Sequence, residues 1–116
     1  TLTDKPPLEL IPHASVVISE DSTAGMEAMF HGKTLVHAHF APTPPTMPFV
    51  DYRAALPGFD PAQLRASLLR CAFLEAADQA VMLAGQRAFL VDFAGLCDGH
   101  AGERVRDFLF RQLGKG

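Results

Sequence analysis

The sequence predicts an α/β domain in which a small parallel sheet is followed by C-terminal helices. Residues 15–19, a cluster of β-branched residues without alternation, are typical of a strand buried on both faces. A helical segment follows, and residues 34–37 are a second strand candidate. Strand, helix and strand within about 25 residues indicate a βαβ unit, whose strands run parallel. From residue 60 onward, the apolar spacing is that of helices.

The first helix has recognisable start and stop residues. Asp21 or Ser22 can act as its N-cap. Gly32 stands where a glycine commonly ends a helix. The sequence therefore predicts a helix that ends at about His31, directly before the second strand.

Residues 38–60 are predicted to form a long loop. Five prolines in this segment exclude a long helix or a central strand: Pro42, Pro44, Pro45, Pro48 and Pro57. Long loops in compact domains often carry functional residues, so this segment is a natural place for ligand contacts.

Three helices are predicted after the loop. The first covers residues 60–73, with Asp60 as its N-cap and proline at the first helical position. The second covers residues 75–93. The last covers residues 101–113, after a turn at residues 98–99. The last helix has an apolar stripe formed by Val105, Leu109 and Leu113.

Composition and charge exclude several classes of function. A chain of 116 residues is long enough for one domain with a core and not for two. A net charge of −3, with ten scattered Lys and Arg residues, does not provide the basic surface of a nucleic-acid-binding protein. No apolar run approaches the length of about 18 residues that a membrane span needs. Cys71 and Cys97 are compatible with two reduced thiols or with a disulfide.

The turn from the first strand into the first helix has the composition of a phosphate site. At such a turn the first backbone N–H groups of the helix have no partner within the helix, and the helix dipole adds positive charge. Phosphate is the natural ligand of this arrangement. Ser22 and Thr23 add hydroxyl donors, and Gly25 lets a ligand or a neighbouring strand come close.

Glu27 lies one turn further along the same helix. It does not fit a capping box, because the residue three positions after Ser22 is Gly25. Thr23, Glu27 and His31 follow one another at four-residue spacing and form one polar line. Glu27 is therefore placed either to accept hydrogen bonds from sugar hydroxyls or to be a solvated helix residue.

Two segments carry a resemblance to a known family. "GMEAMFHGKTLV", residues 25–36, resembles the donor-binding motif of GT-B glycosyltransferases: Glu-Ala-Met, two residues, Gly, one residue, Pro, then apolar residues. With "DSTAG" before it, the segment resembles bacterial capsule polysaccharide biosynthesis proteins and related surface-glycan transferases. "CDGHAGERV", residues 97–105, is similar to the segment that opens their last helix. Thr34 departs from the motif, which has proline there.

The resemblance implies that residues 1–116 are the C-terminal, donor-binding half of a longer glycosyltransferase with a Rossmann-like sheet. Residues matching Ser22 and Thr23 bind the nucleotide phosphate in that family, and the residue matching Glu27 binds the ribose or the donor sugar. The acceptor site and usually the catalytic base lie on an N-terminal domain, so we expect this chain alone to be inactive and assign no catalytic residue.

The resemblance also implies the cellular setting of the chain. It implies a role in bacterial surface polysaccharide biosynthesis, with a nucleotide sugar as the partner and with no cofactor or metal. The location is expected to be cytoplasmic, with peripheral attachment at the inner face of the membrane and homo-oligomerisation left open.

His37, His39 and Tyr52 are candidate donor contacts. His37 and His39 alternate along a strand and share one face, which is also a geometry for metal ligands. No third ligand is evident beside them, although His13 and Asp51 could approach in space. We expect strand-end packing or donor contact instead. Tyr52 lies in the proline-rich loop, where donor-sugar selection often resides in the family.

Two other functions remain open from the sequence. The chain is also compatible with a non-catalytic α/β interaction module that docks a partner. A C-terminal half of a nucleotide-sugar 2-epimerase would have a similar serine-glycine turn and glutamate. Nucleotide titration separates the first alternative, because a docking module has no nucleotide preference.

Overall fold

A computed structural model describes residues 5–94 and 101–114, and it contains a three-stranded parallel sheet. The strands are β1 (Val16–Ser19), β2 (Thr34–Ala38) and β3 (Leu56–Gly58), in that spatial order. β1 pairs with β2 in a register that places Ser19 beside His37. The predicted α/β class with a small parallel sheet is confirmed, and so is the parallel pairing of the first two strands. The prediction that β1 is buried on both faces is wrong, because β1 is an edge strand and its Ile18 is 51% exposed.

β3 lies inside the segment that the sequence predicts as a loop. Pro57 excludes a central strand, but β3 is an edge strand of three residues that pairs with β2. At an edge, proline can turn its missing N–H away from the partner strand. The prediction of an unbroken loop over 38–60 is therefore wrong at this point, although the rule that motivated it holds.

The described residues also form helices, of which α2 (residues 23–30) packs on β1 and β2 and α3 (residues 61–71) packs on β2 and β3. The helices are α1 (Pro7–Leu10), α2 (Thr23–Phe30), α3 (Pro61–Cys71), α4 (Ala76–Ala94) and α5 (Ala101–Gly114). A 3₁₀ turn, Ile11–His13, continues α1. α2 to α5 match the four predicted helices within about two residues at each end, the usual disagreement over helix boundaries. α1 has no counterpart in the prediction, because four residues show no helical period.

The C-terminus of α2 is closed by Gly32 as predicted. Gly32 has φ +62°, its N–H donates to Met29 O at 3.0 Å, and the N–H of Lys33 donates to Ala28 O at 3.0 Å. This pair of bonds is the Schellman motif, which satisfies the last carbonyls of a helix. It turns the chain directly into β2.

The N-termini of α2 and α3 behave differently. Asp60 caps α3 as predicted, since its Oδ1 accepts from the Gln63 N–H at 2.7 Å. Ser22 occupies the N-cap position of α2, but its side chain makes no capping bond. Its hydroxyl lies 3.0 Å from the Ser19 hydroxyl instead. The predicted Ser22 cap is therefore correct in position and wrong in its bonding.

The proline-rich loop supplies part of the hydrophobic core. The core cluster comprises Ile11, Ala28, Met29, Leu35, Phe49, Ala54, Ala55, Phe89 and Leu90. The Phe49 ring is fully buried and meets the Phe89 ring edge-on, with 5.0 Å between centroids. Such edge-on aromatic contacts add to the burial of both rings. The part of the loop around Phe49, Ala54 and Ala55 is thus packed into the core, whereas residues 40–44 are exposed.

α4 holds the loop and the sheet through two neighbouring residues. A Cβ at Gly85 would overlap the carbonyl oxygen of Tyr52. The loop backbone therefore lies closer to α4 here than a residue with a side chain would allow. The Gln86 amide NH₂ donates to Lys33 O at 2.8 Å and to Ala54 O at 3.2 Å. These bonds tie α4 to the start of β2 and to the residues before β3.

Two sequence predictions concern residues that the structure describes only in part or not at all. Cys97 and the predicted turn at residues 98–99 lie outside the described residues. On α5, Leu109 of the predicted apolar stripe is 54% exposed.

Within the described residues, no helix is both long enough and apolar enough to cross a membrane.

Gly85→Ala is expected to lower the free energy of unfolding by about 1–3 kcal/mol, because overpacking against a backbone cannot be relieved by a side-chain rotation. Helix propensity alone would favour alanine by about 1 kcal/mol. The exposed neighbour Ala84→Gly measures that propensity difference without the contact. Urea unfolding of both variants checks the prediction, and a Gly85→Ala variant as stable as the parent would contradict it.

Candidate functional site

The candidate site lies where β1 and β2 end, at the carboxyl edge of the parallel sheet. The register places Ser19, the last residue of β1, beside His37. The segment that leaves β1 therefore meets the end of β2. Open parallel sheets bind ligands at this edge.

Asp21 is the centre of the polar cluster at this edge. Its Oδ1 lies 2.8 Å from His37 Nε2 and accepts from the Met47 N–H at 3.3 Å. Its Oδ2 accepts from the Thr46 N–H at 2.8 Å and from the Thr46 hydroxyl at 3.1 Å. One carboxylate thus joins the exit of β1, the end of β2 and the proline-rich loop.

The hydrogen bonds to Asp21 keep it ionised. Partial burial raises its pKa, but the N–H groups of Thr46 and Met47, the Thr46 hydroxyl and His37 together lower that pKa from 3.8 to about 2. A carboxylate accepts and does not donate, so His37 Nε2 carries the proton of this contact. In the neutral imidazole, Nδ1 is then an acceptor.

His37 is fully buried at the end of β2. Its ring meets the Phe49 ring at 4.9 Å and the Phe59 ring at 5.7 Å, both edge-on. Within the described residues, His37 Nδ1 has no hydrogen-bond partner. An unpaired buried polar atom is costly, so it points to a missing partner. His37 also lines a cavity of about 270 Å³ together with residues of the loop: Pro44, Pro45, Met47, Pro48, Val50 and Asp51.

His39 lies just beyond β2 and closes the same cluster. Its Nε2 donates to Thr43 O at 2.7 Å, and its Nδ1 lies 3.6 Å from Asp21 Oδ2. The two histidine rings are 6.2 Å apart between centroids, which confirms that they share a face. Within residues 5–94 and 101–114, no group of three His, Cys, Asp or Glu side chains has the arrangement of a metal site.

Ser22 and Thr23 are exposed at the start of α2, on the side of Asp21. The Ser19 hydroxyl donates to Glu20 O at 3.0 Å, so the hydroxyl hydrogen between Ser19 and Ser22 comes from Ser22. The Ser22 hydroxyl is therefore already engaged as a donor. The Thr23 hydroxyl makes no hydrogen bond within the described part of the chain, which leaves it the more available donor.

Gly25 has a packing role that the sequence did not identify. It is buried, and a Cβ at this position would lie 2.7 Å from the Phe49 ring. Its N–H donates to Ser22 O at 3.2 Å, which leaves the N–H groups of Thr23 and Ala24 as the donors at this end of the helix. Because Gly25 has no side chain, the Phe49 ring of the loop can pack against α2 at this point.

Glu27 is half-buried one turn into α2. Its carboxylate makes no hydrogen bond or ion pair with the residues that the structure describes. This placement is compatible with both predicted alternatives, a ligand contact and a solvated helix residue.

Tyr52 is directed away from the cluster and toward α4. Its hydroxyl donates to Asp92 Oδ2 at 2.5 Å, and this hydrogen bond raises the pKa of Tyr52 above its usual value. Its ring packs edge-on against Phe89 and Phe93. Phe89 and the Phe49 ring lie between Tyr52 and His37 along this chain of aromatic contacts. The structure therefore does not bring Tyr52 together with the other candidate residues.

Asp21 is the site residue that the sequence analysis does not identify, because it predicts Asp21 only as a helix cap. The order of residues along the chain does contain an indication of its position. An acid two residues after one parallel strand lies near the residues at the end of the adjacent strand, and His37 and His39 lie at and just beyond the end of β2. Its bonds to Thr46 and Met47 had no local signal, because they join residues 25 and 26 positions apart.

Comparison with known proteins finds no relative of this chain: no family model, curated protein or solved structure matches it. The features that bear on function are therefore the fold and the polar cluster at the carboxyl edge of the sheet.

Asp21→Asn is expected to reduce the free energy of unfolding at neutral pH by about 1–2 kcal/mol, after allowance for the partial exposure of the side chain. The lowered pKa means that the folded state favours the ionised form. The stabilisation from Asp21 is therefore complete above about pH 4 and is lost as the pH falls through about 2. Denaturation from pH 7 down to pH 2 should show the two proteins converging in acid.

The control for this prediction is Asp51→Asn, which removes an exposed carboxylate of the same loop, at the cavity that His37 lines. It should change stability by no more than about 0.5 kcal/mol. An Asp21→Asn variant that matches this control at every pH would contradict the role given to Asp21.

Proposed function

We propose that this chain binds a nucleotide-sugar donor, as the donor-binding half of a glycosyltransferase of bacterial surface polysaccharide biosynthesis. The observation that carries the proposal is the exit of β1 into α2 at the carboxyl edge of a parallel sheet. Exposed hydroxyls and the first helical N–H groups lie there, directly after Asp21. Asp21 contacts His37, which lines a cavity together with residues of the loop. The motif resemblance of residues 25–36 supplies the chemical class of the ligand.

The phosphate contacts are proposed for the first turn of α2. The N–H groups of Thr23 and Ala24 and the Thr23 hydroxyl are the available donors, and the helix dipole favours an anion. The nearby Asp21 charge opposes a phosphate, but hydrogen bonds from His37 and the loop partly compensate it. Ser22 contributes once its hydroxyl turns away from Ser19.

The sugar or ribose contacts are proposed for Glu27 and His37. Glu27 presents a half-buried carboxylate without a partner, which suits two hydroxyl donors. His37 Nδ1 is an acceptor in the neutral ring, so a ligand hydroxyl that enters the cavity beside it would supply the missing bond. An acceptor suits a hydroxyl better than it suits a phosphate oxygen.

The reaction would be displacement at the anomeric carbon of the donor. Negative charge grows on the departing phosphate, and the fixed donors of the α2 turn stabilise that charge without reorganisation. The acceptor site and the catalytic base would come from another domain, so the 116-residue chain is expected to bind donor and to transfer no sugar. Detecting transfer by this chain would refute the half-enzyme proposal.

An interaction module is the second candidate function, and one surface favours it. An apolar groove of about 410 Å³ runs along α3, lined by Phe40, Pro61, Leu64, Arg65, Leu68 and Leu69. Leu69 is 59% exposed and Phe73 is 81% exposed. Large exposed apolar patches often mark protein contacts. A docking module would show no nucleotide preference, whereas the donor half should prefer a pyrimidine nucleotide.

Thr23→Ala is expected to weaken donor-nucleotide binding by about 1.5–3 kcal/mol, through the loss of a hydrogen bond to a charged phosphate. Ser22→Ala should weaken it less, because that hydroxyl is already engaged with Ser19. Glu27→Gln should weaken binding of a nucleotide sugar and leave the fold intact. Calorimetric titration with UDP, CDP, GDP and a UDP-sugar, alongside thermal melting, measures all three.

Matched controls separate binding from folding in this experiment. Ser15→Ala removes an exposed hydroxyl just before the opposite end of β1, and Glu75→Gln removes an exposed carboxylate just before α4. Neither should alter affinity. Unchanged affinity in Ser22→Ala, Thr23→Ala and Glu27→Gln would reject the phosphate turn. Affinity lost together with the melting transition would assign these residues to structure.

Tyr52→Phe is expected to leave donor-nucleotide affinity unchanged, because the Tyr52 hydroxyl faces Asp92 on α4. The same titration tests this, with thermal melting as a check that the aromatic packing survives. A clear loss of affinity in a normally folded Tyr52→Phe variant would restore Tyr52 as a donor contact.

A further inference from the structure

Arg53 occupies a backbone position that normally belongs to glycine. The Arg53 N–H donates to Val50 O and the Ala54 N–H donates to Phe49 O, each at 2.9 Å. This is the bond pattern that ends a helical turn with a left-handed residue, most often glycine. Arg53 takes that conformation with φ +59°. An L-residue is strained there, so a side chain retained at this position points to a role for the side chain.

The Arg53 side chain lines a cavity of about 400 Å³ together with a second arginine. Arg70, near the end of α3, lines the same cavity, and the remaining lining is apolar apart from Asp78. The apolar residues are Val50, Ala55, Leu56, Leu74, Val81 and Met82. Two guanidinium groups and one carboxylate leave the cavity with excess positive charge.

The charges of this cavity are weakly compensated. Asp78 lies 3.7 Å from Arg70, and both side chains are about half exposed, so this pair is loose. Arg53 makes no hydrogen bond or ion pair with the residues that the structure describes. A guanidinium group without a partner is suited to a carboxylate or a phosphate, each of which it can bind through two parallel bonds.

This cavity and the cavity beside His37 are lined by different residues, except for Val50, which lines both. Neither Arg53 nor Arg70 lines the cavity beside His37. Neither Asp21 nor His37 lines this one. The charged groups that would contact a ligand therefore differ between the two sites.

We propose that this cavity is a second binding site, for a small amphipathic anion: a carboxylate or phosphate head attached to an apolar body. The head binds between Arg53 and Arg70. The apolar body packs on the wall formed by the side chains of the loop, β3 and α4. The excess positive charge selects the head, and the apolar lining selects against fully hydrated anions.

Calorimetric titration of the 116-residue chain with four probes tests the site: hexyl phosphate, hexanoate, inorganic phosphate and hexanol. At least one amphipathic anion should bind about tenfold or more tightly than both inorganic phosphate and hexanol. Its identity shows whether the head is a phosphate or a carboxylate. Absence of binding by both anions, or equal binding of hexanol, would overturn the proposal.

Variants of Arg53 separate binding from stability. Arg53→Gly should reduce anion affinity at least tenfold while the melting temperature stays level or rises, because glycine relieves the left-handed strain. Arg53→Gln removes the charge and keeps a side chain, and it should also lose affinity. Asp78→Asn frees Arg70 from its pair and should increase affinity.

Arg87→Gln is the matched control, since Arg87 is an exposed arginine of α4 that lines neither this cavity nor the α3 groove. It should leave anion affinity unchanged. Equal losses in Arg53→Gln and Arg87→Gln would show an effect of net charge alone and would overturn the site. Arg53→Gly that binds like the parent would do the same.

Discussion

The carboxylate of Asp21 holds the carboxyl edge of the sheet together, and the arrangement of the candidate site depends on it. It lies between β1 and α2, and it binds His37 on β2 and the backbone at Thr46 and Met47. These donors lower its pKa to about 2, so it is ionised at neutral pH. Hydrogen bonds to a charged acceptor are stronger than those between neutral groups. The orientation of His37, and thus which of its nitrogens is left for a ligand, follows from this contact.

The proline-rich loop is held in place at two further points. Phe49 inserts into the core over Gly25 and against His37, which couples the helix entry to the loop. Further along, the loop backbone lies against Gly85 of α4 and turns at Arg53 in a left-handed conformation. The first attachment fixes the loop beside the α2 turn and His37. The second places Arg53 among the residues that line a largely apolar cavity.

Much of the candidate site follows from local order along the chain. An apolar strand that enters a helix through Ser22 and Thr23 puts those residues at the carboxyl edge of a parallel sheet, and Glu27 follows one turn later. The placement of Tyr52 could not be inferred this way. A tyrosine in a loop can face either the cleft or a helix. The edge-on contact with Phe89 and the hydrogen bond to Asp92 direct Tyr52 toward α4.

The sequence by itself determined the parallel βαβ unit and the helix ends, because buried-strand composition, the glycine at position 32 and the Asp60 cap act within a few residues of where they stand. The tertiary structure alone decided which residues meet across the chain. Asp21 and Thr46 are 25 positions apart, Tyr52 and Asp92 are 40 apart, and the Gln86 amide reaches a carbonyl 53 positions away. Such pairs leave no periodic or local signal, since each depends on how the loop packs between sheet and helix. The three-residue edge strand β3 belongs with them, because its pairing with β2 rather than its composition makes it a strand.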